Sequence, residues 1–211
     1  MLNNKGFDLW ANEYDKSVNL SEENNEYPFA GYKKVLNYIY NEVMNKDSAK
    51  VLDIGFGTGI LTTQLYNNNH QITGIDFSRN MINIAKERMP QAKLIRWDFT
   101  KGVPDEIKNS KFDYIISTYA IHHLKDEEKT DFIKLLSSNL TSDGKIIIGD
   151  VSFETREQLE KCKNKYKNYW DNEEYYFVEE EITKNLKEKY NCEYIKLSHC
   201  AGVITILNKK N

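Results

Sequence analysis

Val51-Leu52-Asp53-Ile54-Gly55-Phe56-Gly57-Thr58-Gly59 runs from an apolar strand, through an acidic residue, into a loop with glycine at every second position. Glycine lets a backbone approach a ligand or take φ > 0 where a Cβ would clash. Ile60–Leu65 then begins a helix, whose amide end attracts anionic groups. Strand, glycine loop and helix in that order form a nucleotide-type cradle. The spacing is G-x-G-x-G, with Ile60 where a dinucleotide fingerprint has its last small residue, so the loop leans away from pyrophosphate cofactors.

Outward from this stretch, strand and helix patterns alternate. Strands are predicted at Lys50–Ile54, Gln71–Asp76, Ala92–Trp97, Phe112–Thr118 and Lys145–Val151, with helices over Gly59–Asn67, Arg79–Met89 and Asp126–Leu140 between them. Ser78 suits an N-cap and Pro90 ends that helix. Such alternation implies parallel βαβ crossovers and a doubly wound α/β sheet covered on both faces. Beyond residue 151, Glu154–Trp170 and Val178–Tyr190 read as charged helices. Glu193–His199 and Val203–Leu207 are strand-like and separated only by Cys200–Gly202, which demands an antiparallel hairpin. Phe7–Val18 and Gly31–Met44 are expected helices ahead of the core. We therefore expect one domain: a helical lid over residues 1–47, a cofactor-binding core over 48–151, and C-terminal helices with the hairpin over 152–211.

The 211 residues carry a formal net charge of −3 and are 40% hydrophobic, enough for a globular core. A weakly acidic balance argues against gripping a nucleic-acid backbone. Cys162, Cys192 and Cys200 have no C-x-x-C spacing and are expected to be free thiols. No leader is visible and no apolar run approaches the roughly 18 residues of a membrane span. A cytoplasmic protein with neither a membrane nor a nucleic-acid partner is expected.

Three consecutive strands end in an acid: Asp53, Asp76 and Asp98. Ligands of open α/β sheets bind at those carboxyl ends. Asp76 could accept from a ribose diol, or only cap the next helix. Asp98 could accept from an adenine amino group with Phe99 or Phe77 packed on the ring, or be a loop acid. The fourth strand leads into Ser117-Thr118-Tyr119-Ala120-Ile121-His122-His123-Leu124, which faces the same crevice. Adjacent histidines point in different directions, so no metal site is expected. His122 or His123 could orient a substrate or take its proton, or simply bond to backbone at a helix start.

Val51–Gly59, Gly74–Ser78, Trp97-Asp98-Phe99 and Phe112–Leu124 resemble the successive motifs of class I S-adenosylmethionine-dependent methyltransferases. Phe7–Asp15 and Ser117–Lys129 resemble, more narrowly, the YrrT-like bacterial group. The resemblance implies a Rossmann-like seven-stranded sheet of order 3-2-1-4-5-7-6 with strand 7 antiparallel. It implies S-adenosyl-L-methionine as cofactor. Gly55, Gly57 and Gly59, with Asp53 in the same motif, would lie under its methionine part. Asp76 would hold the ribose, with Phe77 beside it, and Asp98 with Phe99 the adenine. Thr118 would contact the methionine part and Tyr14 would close over it. Phe56 departs from the small or polar residue usual in the glycine loop.

A methyl on a sulfonium is already electrophilic, so in-line displacement needs chiefly alignment. A base, where the acceptor requires one, falls to His122 or His123, with Tyr119 shaping the pocket. No Asn-Pro-Pro-Tyr or Asp-Pro-Pro-Tyr follows the fourth strand and no cysteine follows a proline, which favours a small-molecule acceptor over a nucleic acid. The rival readings are a nicotinamide-dependent oxidoreductase, and a protein that binds the cofactor without transferring methyl.

Overall fold

A computed structural model describes residues 26–209. The elements run α1 (Tyr32–Met44), β1 (Lys50–Ile54), α2 (Ile60–Asn67), β2 (Gln71–Asp76), α3 (Arg79–Arg88), β3 (Lys93–Arg96), β4 (Phe112–Thr118), α4 (Asp126–Ser137), β5 (Leu140–Phe153), α5 (Arg156–Lys165), β6 (Phe177–Val178), α6 (Glu179–Leu186), β7 (Tyr190–Lys196) and β8 (Ala201–Asn208). A single turn of 3-10 helix, Ile121–His123, joins β4 to α4.

The sheet has the order β3-β2-β1-β4-β5-β8-β7, and β6 adds a short parallel rung to the end of β5. β8 pairs antiparallel with both β5 and β7, while β3, β2, β1, β4 and β5 are mutually parallel. This is the expected order, with β6 as an extra strand. The chain winds from β1 out to β3, then returns to β4 on β1's other side. That reversal opens a crevice at the carboxyl ends of β1 and β4.

Each strand feeds two cores because successive side chains alternate. Val51, Ile116 and Ile147 face one core; Leu52, Ile115, Ile146 and Ile148 face the other. In α1, Val35, Ile39 and Val43 repeat every four residues and are fully buried. Burying each stabilises by about 1.5–3 kcal/mol. A Cβ on Gly149 of β5 would lie 2.2 Å from Val35 Cγ1, so α1 lies directly on the sheet. α1 lies in the segment expected as a lid, and its buried face packs on the core. Phe7–Val18 and Tyr14 lie outside the described residues.

Several boundaries differ from expectation. α4 ends at Ser137, and β5 begins at Leu140 rather than Lys145. Ser142-Asp143-Gly144 has turn chemistry, yet it forms an irregularity within the strand. The register moves from Phe112 opposite Leu140 to Tyr114 opposite Lys145. The charged helices are shorter than predicted, because Tyr166–Tyr176 leaves α5 as irregular chain and Phe177-Val178 pairs with Ser152-Phe153. The hairpin turn falls at Leu197–Cys200.

Phe56 does not crowd the glycine loop. Its ring is buried against β2, where a Cβ on Gly74 would meet Phe56 Cδ1 at 2.5 Å and Leu94 Cδ2 at 3.1 Å. Gly74→Ala is expected to lower stability by about 1–3 kcal/mol in urea unfolding. Adding Phe56→Leu should recover part of that loss; a neutral Gly74→Ala would mean that the ring does not occupy this space.

Candidate functional site

The crevice is an open cleft of about 770 Å³, solvent-open space included. Its floor comes from β1 and the glycine loop: Asp53, Gly55, Phe56, Gly57 and Thr58. One side carries Asp76, Phe77, Ser78 and Phe99, and the other Thr118, Tyr119, Ala120 and His123. Tyr32 and Leu36 of α1 contribute a further wall.

All three loop glycines have positive φ: +69° at Gly55, +57° at Gly57 and +78° at Gly59. At Gly55 a Cβ would also lie 2.5 Å from that of Ala120, so the loop after β1 touches the segment after β4. Asp76 holds the loop from the β2 side. Its Oδ2 accepts from the Gly57 amide at 2.9 Å, and its Oδ1 from the Ser78 amide at 2.8 Å. Ser78 caps α3 through the Met81 amide, so capping by Ser78 and loop-holding by Asp76 coexist.

Asp53 is fully buried and lines the cleft. Thr62 Oγ1 donates to its Oδ2, while Oδ1 has no hydrogen-bond partner among the described residues. Burial pushes this carboxyl up to about 7; the Thr62 bond opposes the shift and the nearby Asp76 adds to it. A buried carboxylate oxygen without a donor costs free energy unless something supplies one. A cationic ligand on the cleft floor would do so.

Asp98 stands apart. Its Oδ1 accepts from Thr100 N at 3.1 Å and Thr100 Oγ1 at 2.6 Å, capping a short turn, and it is not on the cleft wall. Phe99 is buried and reaches the cleft from the same turn.

Tyr119 sits between β4 and the 3-10 turn at φ +49°, a conformation rare for a bulky residue. Its ring packs against Phe29 and Tyr32 at centroid distances of 5.4 and 5.2 Å. The two histidines occupy different places. His123 lines the cleft, and burial together with its neighbour His122 pushes its ring down to about 4, so it is neutral near pH 7. His122 is buried behind it, with Nδ1 2.7 Å from Asp150 Oδ1. Burial opposes the charged ring, but Asp150 and then Glu174 outweigh it and raise its pKa. The two rings point to different partners, yet their centroids lie only 4.4 Å apart.

Some contributors escaped the sequence reading. Asp150 lies inside β5, three residues before its end, so the strand-end pattern of Asp53 and Asp76 does not mark it. Tyr32, Leu36 and Glu174 come from remote helix or loop positions and carry no local signal.

A methyltransferase domain family matches residues 45–194. The chain belongs to this methyltransferase family. An uncharacterised methyltransferase of Alkaliphilus oremlandii is 34% identical over 191 residues, 90% of this chain and 81% of the relative. One from Bacillus cytotoxicus is 40% identical over 157 residues, 74% of this chain and 70% of the relative. Among solved structures, DhpI in complex with SAH aligns with TM-score 0.69 at 16% identity, covering 99% of this chain and 96% of that one. Magnesium protoporphyrin IX methyltransferase from Synechocystis with bound SAH aligns with TM-score 0.66 at 17% identity, covering 86% and 85%. These structures share the methyltransferase's fold. Among the described residues no helix is long and apolar enough to cross a membrane.

Asp53 makes the methyltransferase's stability depend on pH. The native state keeps a proton that the unfolded chain releases between the ordinary value of 3.8 and about 7. Stability from this residue therefore falls as pH rises through that window and levels off above it. Asp53→Asn removes the dependence. The stability difference, wild type minus variant, should decline from about pH 4 to 7 in urea titrations, as the linkage relation requires.

Proposed function

We propose that this methyltransferase moves the methyl group of S-adenosylmethionine to a small-molecule acceptor by in-line displacement. The observation that carries the reading is the convergence of Asp53, Asp76 and the Gly55–Gly59 loop on one cleft whose opposite wall is Thr118–His123. Bound there, the donor supplies a methyl group made electrophilic by its sulfonium.

The residues fit that group. Asp53 offers to a cation a buried oxygen without a hydrogen-bond partner among the described residues, and its carboxyl ionises more readily beside one. Asp76, at the end of β2, accepts from the Gly57 and Ser78 amides and lines the cleft, where a carboxylate can accept from ribose hydroxyls. Phe77 and Phe99 provide apolar surface for the adenine; Asp98 joins them only by turning away from Thr100. Thr118, where β4 ends, takes the methionine part together with the glycine loop. Tyr14 falls on residues that are not described, and its closing role is part of the proposal.

The acceptor enters between Tyr32, Tyr119 and His123, where aromatic rings exclude water and fix orientation. Where the acceptor must lose a proton, His123 receives it, because its ring lies on the cleft wall, while His122 is held behind by Asp150. The net charge of −3 and the aromatic walls support a small molecule over a nucleic acid.

Calorimetry with S-adenosylmethionine, its demethylated product and NAD tests the donor. Tight binding of the first two and none of NAD is expected; the reverse would make the protein a nicotinamide enzyme. Asp76→Ala should weaken donor binding by roughly 10–100-fold, the worth of hydrogen bonds to a charged group. Transfer of labelled methyl into a cell extract, size-fractionated, separates an enzyme from a mere cofactor binder and a small acceptor from a macromolecular one. At saturating donor, His123→Gln should lower the transfer rate by about 100-fold or more, in the range for general-base loss. Unchanged rates in both His122→Gln and His123→Gln would remove the base assignment.

A further inference from the structure

His122, His123 and Glu174 bring one ring nitrogen each and a carboxylate oxygen within 4.8 Å of one another. They come from the 3-10 turn after β4 and from the irregular chain before β6, and the Tyr175 amide, donating to His122 O at 2.8 Å, joins the two segments. His122 Nε2 lies 3.5 Å from Glu174 Oε1. That is too long for a good hydrogen bond. It matches two ligands of one tetrahedral ion, whose bonds of about 2.0–2.2 Å hold ligand atoms roughly 3.3–3.6 Å apart.

The surroundings are those of a ligand set. Asp150 Oδ1 accepts from His122 Nδ1 at 2.7 Å, which places the proton on Nδ1 and turns the Nε2 lone pair toward Glu174. Carboxylate-held imidazoles of this kind are the usual support of metal-ligating histidines. Tyr176 Oη donates to Glu174 Oε2 at 2.5 Å, which orients the carboxylate with Oε1 toward the imidazole. Two imidazoles and a carboxylate suit zinc or a neighbouring first-row divalent ion rather than magnesium or calcium.

We propose that His122, His123 and Glu174 hold a divalent transition-metal ion at the edge of the cleft, with Asp150 orienting His122. Three protein ligands leave a position open, as in zinc sites that act on a substrate. Since His123 also lines the cleft, an ion there would polarise an acceptor heteroatom in place of proton acceptance by the imidazole. The site goes beyond the methyl-transfer reading, and its occupancy is measured without donor or acceptor.

The test is calorimetric titration of zinc chloride into the tag-free, chelator-treated full chain near neutral pH, with cobalt(II) absorption as a second readout. Saturable binding of one ion per chain with a four-coordinate cobalt spectrum is expected. Glu174→Gln keeps an oxygen for Tyr176 on a partly exposed side chain, so it should fold, as circular dichroism would verify. It should weaken zinc binding by at least tenfold, as should His123→Gln. Asp150→Asn should cost about 10–100-fold through the orientation of His122 alone. Absence of stoichiometric zinc binding by the wild type would overturn the proposal, leaving a protonated His122 paired with Asp150 and Glu174. Equal affinity in wild type, Glu174→Gln and His123→Gln would overturn it too, placing the ion elsewhere, for instance at His70 or His199.

Discussion

The Asp76 carboxylate is the constraint on which the cleft depends. It ends β2 and binds two amides, Gly57 in the loop after β1 and Ser78 at the cap of α3. Two crossovers of the sheet are thereby tied at their ligand-facing ends. The loop they define has three residues in left-handed conformations, which glycine tolerates without steric cost. Asp53 complements this from below: Thr62 in α2 donates to it, so the helix after the glycine loop is bound to the strand before it. Shape and charge at the cleft floor are therefore set together.

The opposite wall is organised by β4 and β5. Ser117 Oγ donates to Ile54 O at 2.9 Å, fastening β4 to β1 where both strands end. Tyr119 N donates to Gly149 O at 2.9 Å, drawing the next segment over β5. Tyr119 consequently adopts positive φ and is kept there by Phe29 and Tyr32. Strain of this kind persists only where packing over-determines it, and it collects at functional sites. It sets His123 toward the cleft and His122 toward Asp150.

Much of this was legible along the chain because the cradle is local. Asp53, the three glycines and Asp76 lie within 24 residues, and each occupies a position dictated by strand, turn or helix chemistry. The antiparallel final pair was legible from a connection too short for a crossover. What escaped is long-range or ambiguous. Tyr32 and Leu36 join the wall only because α1 lies across β5 and β8. Thr141–Gly144 has the composition of a turn, but pairing of Leu140 with Phe112 keeps it within a strand. Asp98 obeys the strand-end pattern, yet nearby Thr100 captures its carboxylate. The histidines' partners were not legible, because in the 3-10 turn His122 is directed by Asp150 and by the segment carrying Glu174, both remote in sequence.

The sheet is open, and its two rims share a property. β3 is four residues long with exposed Lys93 and Arg96 at its ends. β7 turns Asn191, Glu193 and Lys196 to solvent, and Lys196 is paired with Glu154. An incoming strand from another molecule would have to desolvate these charges in order to reach the outer amides. A fold built around strongly apolar central strands thus carries, in the charges along its rims, its own guard against templated lateral growth.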